Sequence, residues 1–213
     1  MNFYIVKLKV VLNILFLIVS ILSSGCKKDP GIEFLPKQGD YFPTSTGSSW
    51  TYVNQGLHGS FEVVYSMSND SIMNGKIFKN LQRGMDAIMP YARKEGNDYY
   101  TLWNVYGIYH EYLILKDNKP AGTSWTEFHF DNIEQDTYTI MKVNAEMEVN
   151  NVFYKDVIHV RSKNESLNTY WPGTPKFVDS YYAKNIGLIY SFTKVEGSYA
   201  YENEMKLIRY EIK

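Results

Sequence analysis

The residues able to do chemistry are few and scattered. The four histidines are His58, His110, His129 and His159, and none stands in an HxH, HxxH or HExxH pair. His129-Phe130-Asp131 comes nearest to a ligand pair. Alternate residues of a strand face one way, so His129 and Asp131 could share a metal ion, although a polar strand end is the simpler reading. Glu127 with Asp131, or Glu146 with Glu148, could make an acid/base pair. Glu146 and Glu148, however, lie on the polar side of an alternating segment and read as a solvated face. The chain has no Gly-x-Ser-x-Gly elbow, no Ser-x-x-Lys and no phosphate-cradling glycine loop. The expectation is a protein without metal or cofactor and without a recognisable catalytic set, although a site assembled from distant residues stays open.

Aromatic residues are the stronger lead: 19 Tyr, 11 Phe and 4 Trp. Tyr100, Trp103, Tyr106 and Tyr109 crowd between Tyr99 and Tyr112. Tyr170-Trp171-Pro172-Gly173 sits in a Pro/Gly-rich stretch that includes Pro175. Exposed Trp and Tyr offer flat apolar faces with a hydrogen-bonding edge, suited to a sugar ring or a protein partner. Trp171, Tyr170 and Trp103 are therefore the candidate contact residues. Trp50 and Trp125 fall in strand-like segments and are expected in the core.

Cys26 is the only cysteine, so no disulfide can form within one chain and stability must come from a hydrophobic core. Lys7 and Lys9 precede an apolar run from Val10 to Leu22, broken only by Asn13 and Ser20. The run has the length of a signal-peptide h-region and is shorter than a bilayer-spanning helix. Leu22-Ser23-Ser24-Gly25-Cys26 then resembles the lipobox of signal-peptidase-II substrates, with Leu one place further from the cysteine than usual. The resemblance implies cleavage before Cys26, diacylglycerol on its sulfur and an acylated new amine. A sulfur so modified is no nucleophile. Residues 1–25 would be the signal peptide and 26–40 a lipidated N-terminus and tether, with Pro30, Gly31, Pro36 and Gly39 keeping it open. The membrane is thus the expected partner through the lipid on Cys26. Lys27 is not the Asp associated with inner-membrane retention in some Gram-negative bacteria, so the resemblance favours the outer membrane.

The mature chain of about 188 residues carries 20 basic and 23 acidic side chains, a formal charge of −3. With no basic block, nucleic-acid binding has no electrostatic footprint.

The elements that must position these residues read as strands. Thr139, Met141, Val143, Ala145, Met147 and Val149 alternate with Lys142, Asn144, Glu146 and Glu148, the period of a half-buried strand. Val152, Tyr154, Ile158 and Val160 continue after the Asn150-Asn151 turn. Phe61, Val63, Tyr65 and Met67 alternate as well. Asn74-Gly75 signals a two-residue hairpin, and a last strand runs from Tyr201 to Ile212. Gly84 to Lys94 is the only candidate helix, interrupted by Pro90. Residues 41–213 read as a single β-domain.

Three blocks recur at similar spacing. Gly47-Ser48-Ser49-Trp50-Thr51 returns as Gly122-Thr123-Ser124-Trp125-Thr126. Asn74–Leu81 returns as Asn150–Val157. Asp98-Tyr99-Tyr100 with Gly107 returns as Ser180-Tyr181-Tyr182 with Gly187. The fold expected is all-β: antiparallel sheets from two related halves, 41–115 and 116–213, forming a sandwich or a curved half-barrel.

Tyr41-Phe42-Pro43, Gly47-x-x-Trp50-x-Tyr52 and the late Asn185-Ile186-Gly187-Leu188-Ile189 resemble a group of β-rich envelope lipoproteins. That resemblance implies the fold type and transfers no catalytic residue. The functional expectation is a membrane-anchored, non-catalytic binding or interaction module whose partner is an envelope protein or a glycan. The alternatives are a hydrolase acting on an envelope polymer, which would show two carboxyl groups in a cleft, and a carrier, which would show an apolar cavity on a concave face.

Overall fold

The computed structural model describes residues 35–56, 59–84, 91–105, 107–129, 133–167, 173–198 and 201–213. They fall in one unit, Phe34–Lys213. The signal segment, Cys26, Asp131, Tyr170 and Trp171 lie outside the described residues.

Six strands make the first half: β1 (Ser49–Gly56), β2 (Gly59–Met73), β3 (Lys76–Arg83), β4 (Tyr91–Glu95), β5 (Asp98–Val105) and β6 (Ile108–Lys116). Six make the second: β7 (Ser124–His129), β8 (Glu134–Val149), β9 (Val152–Ser166), β10 (Lys176–Ala183), β11 (Gly187–Val195) and β12 (Tyr201–Glu211). All join one antiparallel sheet in the order β6-β5-β4-β3-β2-β1-β12-β11-β10-β9-β8-β7. Of the two expected architectures, the curved half-barrel is the one formed. A sandwich would need two sheets. Here β1 pairs with β12 from Ser49↔Glu211 to Gly56↔Asn203 and joins both halves into one ladder. Strand twist then bends the ladder on itself. At the seam, Trp125 Nε1 on β7 donates to the Leu113 carbonyl on β6 at 2.7 Å, so the barrel nearly closes.

Antiparallel order sorts the connections to two ends. The turns at 74–75, 96–97, 117–123, 150–151 and 184–186 lie at one end, with the start of β1 and the finish of β12. The chain enters at this end. Lys37 N–H donates to Asn144 Oδ1 at 2.8 Å, and Asn185 N–H donates to the Asp40 carbonyl at 2.5 Å. Residues 35–40, expected as the end of a tether, are therefore tied to the sheet.

Local chemistry explains the turns. Asn74-Gly75 has φ of 50° and 74°, and Asn150-Asn151 has 49° and 62°, the left-handed pair of a type I′ hairpin. The candidate helix is not formed over its described part: Tyr91–Glu95 is β4, and residues 85–90 lie outside the described residues. Ala92 is buried there between Lys79 of β3 and Thr101 of β5, so sheet pairing overrides a weak helical preference.

The alternation along β8 also departs from expectation. Met141 is exposed and Ile140 fully buried, because the register shifts at Ile140/Lys142 and again around Asn144, which has φ 52°. Each bulge carries the following residues to the other face. Val152 and Phe61 are likewise exposed, at the hairpin tip and near the start of β2.

The first two repeated blocks occupy matching places. Gly47 and Gly122 have φ of 90° and 88°. Gly47 N–H donates to the Met67 carbonyl at 2.8 Å, and Gly122 N–H donates to the Ile140 carbonyl at 2.7 Å. The second block forms the β2–β3 and β8–β9 turns. The third is one strand out of step, opening β5 and β6 in one half but closing β10 and opening β11 in the other.

Candidate functional site

The half-barrel encloses a cavity of about 560 Å³. Every strand except β4 contributes to its wall, so it is the bore of the barrel rather than a surface dent. Its floor is made by Phe42, Trp50, Tyr182 and Leu188, near the end where the chain enters. Phe42 and Trp50 stack at 6.5 Å. Below them Tyr41 is fully buried, and its N–H donates to Tyr99 Oη at 3.1 Å. Tyr99 Oη in turn donates to Asp117 Oδ2 at 2.6 Å. Burial raises the Asp117 carboxyl above its ordinary range, against the lowering effect of that bond. The floor is thus sealed by a satisfied polar network under aromatic rings.

The three segments that carried the second resemblance converge on this floor. Trp50 Nε1 donates to the Ile186 carbonyl at 2.6 Å, and Tyr52 Oη donates to the Leu188 carbonyl at 2.8 Å. Gly187, at φ 104°, leaves room for the Trp50 indole: a Cβ there would lie 3.4 Å from Trp50 Nε1 and 3.5 Å from Pro43 Cδ. Those motifs lock the entering chain onto the β10–β11 turn.

Tyr65, Tyr112, Tyr138, Leu81, Ile114 and Met205 supply the apolar belt above. At the opposite end lie Trp103, His129, Asp136 and Asn164. Trp103 is 45% exposed, which marks the mouth. Of the sequence-derived contact residues, Trp103 therefore lines the cavity, whereas Tyr170 and Trp171 are outside the described residues.

The mouth holds the one polar corner of the wall. Asn164 Nδ2 donates to Asp136 Oδ1 at 2.8 Å, and His129 Nε2 lies 3.0 Å from Asp136 Oδ2. Tyr138 Oη also reaches Asp136 Oδ2, at 3.4 Å. The His129 ring packs on Tyr112 at 4.1 Å across the seam. Glu127 stands directly opposite Asp136 on the paired strand. Burial pushes the Glu127 carboxyl upward, against the bond it accepts from the Leu113 N–H. His129 thus takes Asp136 as its carboxylate neighbour. Among the described residues no group of three or more His, Cys, Asp or Glu side chains is placed to hold a metal ion. Glu146 and Glu148 are exposed, as a solvated face requires. Trp50 is buried as expected; Trp125 is half-buried and stacks on Tyr138 at 5.3 Å.

A charged cluster that sequence reading missed lies elsewhere. Buried Asp179 is bonded by His159 and, bidentately, by Arg161 Nε at 3.0 Å and Nη2 at 3.1 Å. It borders a second hollow of about 470 Å³ with Phe177, Phe192 and Lys194. Neither this cluster nor the Asp136 corner has a local signature, because their members sit on different strands and meet only through register.

No family model matches the chain, and no curated protein matches it either. Among solved structures, it resembles one described as an exported protein with a YmcC-like fold from Bacteroides fragilis NCTC 9343. The TM-score is 0.53 at 11% identity, covering 82% of this chain and 100% of that one. A protein described as a lipoprotein from Parabacteroides distasonis ATCC 8503 aligns at TM-score 0.45 and 7% identity, covering 81% of this chain and 99% of that one. The first of these likenesses establishes a shared fold.

Proposed function

We propose that this chain is a lipid-anchored envelope protein whose half-barrel is a non-catalytic binding module, with the bore as the site for an apolar ligand. The carrying observation is the cavity itself. Its size lies in the range of small-molecule sites, about 300–1,000 Å³, and its wall is mostly aromatic and aliphatic with a few convergent polar groups. Export and anchoring rest on the signal segment and Cys26, and the exported and lipoprotein descriptions of the two structural neighbours agree with that reading. The chain enters at the sealed floor, at the opposite end of the bore from Trp103, His129, Asp136 and Asn164. Lys27 after the cysteine, in place of the Asp of inner-membrane retention, supports an outer-membrane address by the lipoprotein resemblance.

The test uses the full-length lipoprotein in nanodiscs and a photoreactive alkyl diazirine. Adducts mapped by mass spectrometry are expected on β1, β6, β8 and β11, and Thr101→Trp, which puts an indole into the bore, should reduce them. Adducts confined to the outer surface, or unchanged in Thr101→Trp, would overturn the reading.

A further inference from the structure

We infer that the cavity is selective for an amphiphile whose polar end is cationic, an amine above all, held by Asp136 at the mouth with the apolar tail toward Trp50 and Leu188. This inference rests on the reading of the bore as an apolar-ligand site.

Three observations carry it. First, the wall is polarised along its length. The floor and belt are aromatic and aliphatic, while Asp136, His129 and Asn164 all sit near the strand ends at the mouth. A ligand with one polar end fits that gradient in one orientation only.

Second, the sign of the corner is defined. Among the described residues, Asp136 is the only carboxylate lining the cavity, and no lysine or arginine lines it there. Asn164 fixes its orientation by donating Nδ2 to Oδ1 at 2.8 Å and, as a neutral amide, leaves its charge uncancelled. Further acids surround it: Asp136, Glu127 and Glu134 all act on Tyr112, raising its hydroxyl after burial, which is the larger cause. A fatty carboxylate would meet like charge here, whereas an ammonium would meet an oriented acceptor.

Third, the rings at this level suit a cation. Tyr112 and Tyr138 line the wall beside Asp136, and Trp103 stands at the mouth. Aromatic faces attract ammonium groups, more strongly once water is excluded. The site thus joins a hydrophobic channel to an acceptor with aromatic walls, the pairing a long-chain amine needs.

The experiment uses the same photolabelled full-length protein and competes the label with dodecylamine, dodecanol or dodecanoate. Dodecylamine should protect the cavity peptides at a concentration at least tenfold below that of dodecanoate, with dodecanol between them. Asp136→Asn keeps the shape and should bring the amine-to-acid ratio close to one while labelling persists. Absence of cavity labelling in the wild type would overturn the apolar-site reading itself. Labelling without amine preference would overturn this inference alone, and needs no variant. A preference that survives in Asp136→Asn would overturn the assignment to Asp136.

Discussion

Trp50 Nε1 donates to the carbonyl of Ile186 at 2.6 Å, across 136 residues of sequence. This bond joins the first strand to the β10–β11 turn and sets the floor of the cavity. The indole is only 3% exposed and Ile186 is half-buried, so the donor has no water to turn to when the bond is lost. Trp50→Phe keeps most of the apolar surface and removes the donor. It should cost about 1 kcal/mol, the net worth of one hydrogen bond, since the half-buried carbonyl of Ile186 can recover water. Urea unfolding followed by far-UV circular dichroism measures it. A midpoint equal to that of the wild type would mean that the indole N–H contributes nothing.

The seam is a weaker place. Trp125 Nε1 to Leu113 and the Tyr112–His129 ring contact hold β7 against β6 where no ladder is formed. Trp125→Phe should lower global stability by only about 1 kcal/mol, the net worth of one hydrogen bond. It should speed amide exchange in β7 and β6 far more than in β1 and β12. Uniform acceleration over all strands would show that the seam does not open separately.

Asp179 gives the fold a defined acid sensitivity. Burial raises its carboxyl, but the bonds from His159 and Arg161 outweigh burial and hold it below the ordinary value. A pKa lower in the folded than in the unfolded state stabilises the fold above the unfolded value, about 3.9. That stabilisation is lost as pH falls through this value toward the folded one. The wild type should therefore lose stability steeply below about pH 4. Asp179→Asn should be less stable at neutral pH, by about 1–3 kcal/mol for the charged hydrogen bonds weakened at a buried carboxylate whose Arg161 partner is half-exposed, with a flatter acid limb. Identical slopes between pH 3 and 6 in urea midpoints would remove Asp179 from that role.

The proposed anchoring depends on one sulfur, that of Cys26. Cys26→Ser leaves the signal segment and the barrel sequence unchanged but removes the acyl acceptor. The variant should fail to incorporate labelled palmitate and should retain residues 1–25, which a mass shift on intact protein detects. Palmitate incorporation at the wild-type level in Cys26→Ser would place the lipid elsewhere.

Strand positions, hairpin turns and the antiparallel all-β class were legible because they depend on neighbours in sequence. Period-two patterning marks strands, and Asn74-Gly75 and Asn150-Asn151 favour left-handed backbone whatever surrounds them. The motif Gly47-x-x-Trp50-x-Tyr52 could be seen, but not its purpose, since Ile186 and Leu188 become its partners only after β1 pairs with β12 and β11 packs beside them. Trp103 could be singled out by type; its place at a cavity mouth follows from closure of the barrel. Asp136 attracted no notice because nothing within its own segment distinguishes it. Its oriented carboxylate exists only where β7, β8 and β9 align His129, Asp136 and Asn164.

The sequence by itself determined the all-β class, a single cysteine behind an apolar N-terminal run, and a supply of aromatics far beyond what surface turns need. Only the tertiary structure decided one sheet over two, which rings face the bore, and where its polar end lies. The physical reason is that face and register are long-range properties. A single bulge, as at Ile140/Lys142, exchanges inside for outside along a strand, and a cavity is the sum of such choices over eleven strands.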